Sequence, residues 1–193
     1  MNKIRMIALA ACMAATLDAA AQEQEIRLFS HRGGRMEHDE NTFSAFQASY
    51  DAGYRGFETD IRMTRDGALV ITHDSSLERT TDGTGTVEEK TEAEIRRLRT
   101  KQGNKVLFLD ELLEFLEGKE GLYVEFEMKT KPEALYPEER LHAYCDKLYD
   151  AVMAVKPADA TFVFTSGDYR GLRYLQAKHP GVDLLLITSK PCN

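Results

Sequence analysis

Apolar and polar residues alternate with period two in several short runs, and stretches of helical spacing separate those runs. Ile26-Arg27-Leu28-Phe29-Ser30 reads as a first strand, closed by the turn His31-Arg32-Gly33-Gly34. In Glu40-Asn41-Thr42, Asn41 is the expected N-cap of a helix that carries Phe43, Phe46 and Tyr50 on one face and closes at Gly53. Gly56 to Met63 reads as a second strand, with Glu58 and Asp60 on one face and Phe57, Thr59 and Ile61 on the other. Arg65-Asp66-Gly67 is a tight turn, so the strand Ala68 to Thr72 should return as a hairpin or local bend rather than a parallel crossover. Leu77 to Val87 is polar and Gly-rich and reads as a surface loop. Thr91 and Glu94 form a capping box before Ile95 and Leu98, and Asp110 is the expected cap of a helix bearing Leu112, Leu113, Phe115 and Leu116.

Leu122 to Lys129 alternates again. Leu122, Val124, Phe126 and Met128 share one face; Tyr123, Glu125, Glu127 and Lys129 share the other. A long amphipathic helix with Leu141, Leu148, Val152 and Val155 follows, then a strand at Thr161 to Thr165, a helix at Leu172 to Lys178 and a strand at Val182 to Ile187. Strand alternating with helix predicts an α/β fold with a mostly parallel sheet and helices packed outside it. No internal repeat or linker divides the chain.

Length and composition agree with one globular domain: 193 residues, 42% apolar and 30% charged. The start differs. Lys3 and Arg5 precede the apolar run Met6 to Leu17, and Ala19-Ala20-Ala21 offers small residues for cleavage, so residues 1–21 read as a secretory signal peptide. The mature domain is then 22–193, exported to the periplasm or the extracellular space. The apolar run is too short to span a membrane. Leu9-Ala10-Ala11-Cys12 resembles a lipoprotein cleavage box, but only Met6 to Leu9 precede it as an apolar segment, and anchoring at Cys12 is not expected. The net charge is −7; losing Lys3, Arg5 and Asp18 removes one net positive charge and leaves −8. An acidic chain without a basic run is a poor nucleic-acid binder. Cys145 shares a helical face with Leu141 and Leu148 and reads as an inert buried thiol, and no Cys/His zinc spacing is present.

Polar residues gather at the C-terminal ends of the strands, where α/β folds carry their active sites. Glu58, Asp60 and Glu127 supply hard oxygen ligands for Ca²⁺ or Mg²⁺, and a cation there would offset their mutual repulsion. Arg32 and Lys129 can hold phosphate charge, the arginine in bidentate fashion. His31 and His73 can exchange roles, one accepting a proton from the nucleophile and one donating to the leaving oxygen. Together these residues make a phosphodiesterase kit.

The sequence resembles the glycerophosphodiester phosphodiesterases. The matching segments are His31-Arg32-Gly33-Gly34, Glu40-Asn41-Thr42, Glu58-Thr59-Asp60, Thr64-Arg65-Asp66-Gly67, His73-Asp74, Arg79-Thr80-Thr81-Asp82-Gly83 and Glu127-Met128-Lys129, in the same order. The resemblance implies a TIM-type (β/α)8 barrel with a small insertion after His73. It implies Glu58, Asp60 and Glu127 as metal ligands, His31 and His73 as the acid–base pair, and Arg32 and Lys129 on the phosphate. Asn41 and Asp74 match the motif as residues that fix turns and orient neighbours. The implied reaction converts a small-molecule glycerophosphodiester to glycerol 3-phosphate and an alcohol.

Two departures stand out. Where the family carries a Ser-Phe pair, this chain reads Thr165-Ser166-Gly167-Asp168, which removes an aromatic from the pocket wall. Val182 to Ile187 falls near the sixth of eight strands, in a chain shorter than the roughly 250 residues usual for the fold. A barrel ending there would leave open edges able to pair with a second chain. Two other functions compete: a catalytically silent remnant or phosphodiester-binding module, and a glycoside hydrolase using paired carboxylates. The latter leaves His31, His73, Arg32 and Lys129 without roles.

Overall fold

The computed structural model describes residues 28–189. Residues 1–21, which read as a signal peptide and include Cys12, and Cys192 lie outside them. The elements run β1 (Phe29–His31), α1 (Phe43–Asp51), β2 (Gly56–Met63), β3 (Leu69–Ile71), α2 (Glu92–Ile95), α3 (Leu109–Leu116), β4 (Tyr123–Met128), α4 (Glu138–Val155), β5 (Thr161–Ser166), α5 (Tyr169–Lys178) and β6 (Leu184–Leu186).

The sheet has the order β1-β2-β4-β5-β6, all neighbours parallel, and β3 pairs antiparallel with the end of β2. The short turn forces that hairpin, as its sequence indicates. Thr64 Oγ1 donates to Asp66, and Gly67 takes φ +90°, which a side chain would resist. Among the described residues β6 is thus the sixth strand and the fifth of the parallel set.

The alternation read in β4 holds. Val124, Phe126 and Met128 are buried, whereas Tyr123, Glu125 and Glu127 are partly buried on the other face. The buried face joins Phe57, Ile61, Phe162 and Phe164 from the neighbouring strands and Phe46, Leu112, Leu116, Leu141, Leu148 and Leu175 from the helices in one core. Burial of this apolar area holds the parallel strands in register. Cys145 belongs to this core; burial pushes its thiol up to about 12, so it is chemically inert.

The insertion between β3 and α3 has its own small core of Val70, Leu77, Val87, Ile95, Val106 and Phe108. The stretch read as a surface loop is therefore pinned by Leu77 and Val87. The Thr91–Glu94 capping box forms, but the helix it opens ends at Ile95, and Leu98 packs beyond it.

Two cap assignments shift. Thr42, not Asn41, caps α1, accepting from Ala45 N, because the Asn41 side chain is drawn to Asp60. Phe108, not Asp110, occupies the N-cap of α3: Glu111 reaches back to accept from Phe108 N, which places Asp110 inside the first turn. Among the described residues no helix is long and apolar enough to cross a membrane.

Candidate active site

Parallel register builds the site. His31 stands opposite Glu58 across β1 and β2, and Asp60 stands opposite Glu127 across β2 and β4. Oxygens of Glu58, Asp60 and Glu127 lie within 4.8 Å of one another. Burial, then the charge of Asp60 and that of Glu127, push the Glu58 carboxyl up to about 8. Among the described residues, Glu58 Oε1 has no hydrogen-bond donor, and Asp60 Oδ1 meets only the Lys129 ammonium, at 3.2 Å. Lys129 Nζ also donates to Glu127 Oε1 at 2.5 Å. Buried oxygens of Glu58 and Asp60 without a hydrogen bond, beside the Glu127 carboxylate, fit a divalent cation.

The loop after β1 braces the carboxylates. Arg32 N donates to Glu58 Oε2 at 3.1 Å, and Arg32 Nε lies 3.3 Å from Asp60 Oδ2. Asn41 Nδ2 donates to the same Asp60 oxygen at 2.8 Å. That oxygen is thereby occupied, and Oδ1 is turned towards Glu127 and Lys129. Arg32 and Asn41 both adopt left-handed backbone, φ +53° and +58°, and Asn41 N donates to Arg32 O at 2.8 Å. Two strained residues stapled together are typical of a segment held for function. Gly33, between them, allows α1 to approach: a Cβ there would sit 3.0 Å from the Ala45 Cβ.

The histidines flank the acids. His31 is half-exposed, with Nε2 3.6 Å from Glu58 Oε2. Burial and the charges of Arg32 and Arg35 lower its pKa. His73 follows β3, and its Nδ1 lies 2.6 Å from Asp74 Oδ1. A carboxylate only accepts, so Nδ1 carries the proton and Nε2 is left as the acceptor nitrogen. Arg32, Lys129 and His31 therefore converge on the three acids, and His73 lies near enough to His31 for its charge to act there.

Sequence reading missed Arg62, one turn of the alternation beyond Asp60. It is buried and donates to the carbonyls of His73 (3.0 Å), Lys129 (3.2 Å) and Lys131 (3.4 Å), and pairs with Glu88 Oε1 at 2.8 Å. Tyr136 joins this node by donating to Glu88 Oε1. Arg62 thus fastens the segments bearing His73 and Lys129 to the strand bearing Glu58 and Asp60. Its position on the Glu58–Asp60 face was the only available signal.

Where an aromatic was expected, Ser166 Oγ donates to Met128 O, and Asp168 accepts from Thr130 while capping α5. This segment therefore locks the end of β4.

The model of the glycerophosphoryl diester phosphodiesterase family matches residues 31–193. The chain belongs to that family. A glycerophosphodiester phosphodiesterase of Caldanaerobacter subterraneus is 36% identical over 123 residues, which cover 59% of this chain and 50% of the relative. The chain spans about half the length of such curated relatives. Among solved structures, an Oleispira antarctica phosphodiesterase in complex with the product sn-glycerol-3-phosphate superposes with a TM-score of 0.75 at 25% identity, over 86% of this chain and 68% of that one. The glycerophosphodiester phosphodiesterase of Agrobacterium tumefaciens gives 0.67 at 28% identity, over 83% and 66%. Five adjacent parallel strands with outer helices match part of such a TIM-type barrel.

Proposed function

We propose that this family member is an exported, divalent-cation-dependent phosphodiesterase that hydrolyses glycerophosphodiesters to glycerol 3-phosphate and an alcohol. The observation that carries the reading is the convergence of Glu58, Asp60 and Glu127 within 4.8 Å, braced by Arg32 and Lys129 and flanked by His31 and His73. Support for the substrate class comes from the family match and from the product complex of the Oleispira relative.

Glu58, Asp60 and Glu127 would hold the Ca²⁺ or Mg²⁺. Such an ion supplies Lewis-acid polarisation of a phosphoryl oxygen. Arg32, its guanidinium held between Glu40 and Asp60 beside the carboxylate cluster, would bind phosphate oxygens. Lys129 acts as the internal counter-ion of Asp60 and Glu127 while no cation is bound, and its flexible stem lets it turn to the substrate phosphate afterwards. His73, proton on Nδ1, accepts or donates through Nε2. His31 serves at the opposite end of the scissile P–O bond, one histidine as base and the other as acid.

The test is release of glycerol 3-phosphate from glycerophosphocholine with Ca²⁺ or Mg²⁺ and with chelator. Release that stops with chelator supports hydrolysis. Substrate binding without release would mean a binding module.

A further inference from the structure

Arg79 belongs to the segment Arg79-Thr80-Thr81-Asp82-Gly83, which has no part in the chemistry above. Its side chain nevertheless reaches the rim of the site. Nη1 and Nη2 donate to Glu40 Oε2 and Oε1 at 3.0 and 2.6 Å, and Nε donates to Asp74 Oδ2. Asp74 turns its other oxygen to His73 Nδ1, and Glu40 Oε1 also accepts from Arg32 Nη1 at 3.2 Å. An unbroken chain therefore runs His73–Asp74–Arg79–Glu40–Arg32, from one proposed acid–base residue to the proposed phosphate-binding arginine. None of Arg79's hydrogen bonds or ion pairs reaches Glu58, Asp60 or Glu127.

We propose that Arg79 is a positioning residue that fixes the His73 tautomer through Asp74 and sets the orientation of Arg32 through Glu40, the carboxylate the two arginines share. The effect on rate rests on the hydrolytic reading; the geometric claim does not.

Two physical points support it. First, a guanidinium has a rigid fork of donors that can satisfy two carboxylates at once, which a single ammonium cannot do with the same geometry. Glu40 is held below the usual carboxylate range chiefly by its hydrogen bond to Arg79, and Asp74 lies at about 2 because hydrogen bonds from Arg79 and His73 overcome its burial. Without Arg79, Glu40 would keep Arg32 as its guanidinium partner, and Asp74 would lose the donor that anchors it against His73. Second, the loop that delivers Arg79 is rigid. Leu77 is buried in the insertion core, Thr81 Oγ1 donates to Leu77 O, and the backbone of Thr80 to Asp82 bonds to Lys101, Leu77 and Arg99. The insertion is thereby an arm that holds one side chain in place.

The test compares wild type, Arg79→Gln and Arg79→Lys. Nitrogen-15 NMR of labelled histidine at alkaline pH reads the His73 tautomer, with His73→Gln assigning the signal. Wild type should hold the Nδ1–H form, Arg79→Gln should shift to a mixture, and Arg79→Lys should recover part of it. Glycerophosphocholine kinetics should show kcat falling about tenfold or more and KM rising severalfold in Arg79→Gln, with partial rescue by lysine, in line with losses on removing outer partners of a site. An unchanged tautomer, or kinetics equal to wild type, would overturn the proposal. If wild type turned over no substrate, the hydrolytic reading would fail, and the tautomer comparison would still decide the role of Arg79.

Discussion

Asn41 and Asp60 are joined by a 2.8 Å hydrogen bond from the amide of the one to Oδ2 of the other, across 19 residues of sequence. The bond explains two features at once. It removes Asn41 from the helix cap it was expected to make, and it leaves Asp60 with one oxygen turned towards Glu127, its partner in register on β4.

Asp60 is therefore the pivot of the proposed cation site. Asp60→Asn should weaken divalent-cation binding by about tenfold or more, as losses around a metal shell usually do. Calorimetric titration with Ca²⁺ and Mg²⁺ checks this, and unchanged affinity would remove Asp60 from the ligand set.

His73 should serve proton transfer alone. His73→Ala is expected to keep its cation affinity while losing about two or more orders of magnitude in rate. Loss of the cation in a folded variant would reassign the histidine to the metal.

Glu58 links the site to stability. Its ordinary pKa of 4.5 is raised to about 8 in the fold by burial and the neighbouring acids. The native state thus binds the proton more tightly than the unfolded chain. The stability this gives the cation-free protein is complete below about 4.5 and is lost as pH rises through about 8. Urea denaturation with chelator should show that decline, and Glu58→Gln should flatten it.

Arg62 carries a larger share of the fold. Arg62→Met strips donors from three carbonyls and leaves Glu88 buried without its cation, at a cost of roughly 3–5 kcal/mol. Chemical denaturation measures it. The double variant Arg62→Met/Glu88→Met should recover part of the loss; no recovery would show that the ion pair is not the source.

The elements and the convergent acids were legible because period-two alternation in β2 and β4 is a local signal, and parallel pairing then sets Asp60 beside Glu127. The hairpin was equally local, fixed by Arg65-Asp66-Gly67. Long-range polar contacts were not legible. Arg62 meets Lys129 across 67 residues, and nothing in its neighbours announces that. The Asn41 cap slipped for the same reason, claimed by Asp60, whereas the α3 cap slipped locally: Glu111 rather than Asp110 supplied the bond at its start. The rigidity of the insertion was hidden as well, since Leu77 and Val87 find Ile95 and Phe108 only in three dimensions.

The sheet edges bear on association. Among the described residues, β1 and β6 are each paired on one side, and Leu28, Phe29, Leu185, Leu186 and Ile187 are exposed there. Residues 22–193 expressed alone should self-associate and turn over slowly, which size-exclusion chromatography and the same glycerophosphocholine assay can read on one preparation. A stable monomer would count against edge pairing.

The central claim is that Glu58, Asp60 and Glu127 hold a cation that the hydrolysis requires. Its most direct test is glycerol 3-phosphate released from glycerophosphocholine by wild type and by Asp60→Asn, each with Mg²⁺ or Ca²⁺ and with chelator. The predicted result is release by wild type, however slow, that appears with the cation, vanishes with chelator and is lost in Asp60→Asn. Release indifferent to the cation, or undiminished in Asp60→Asn, would contradict it.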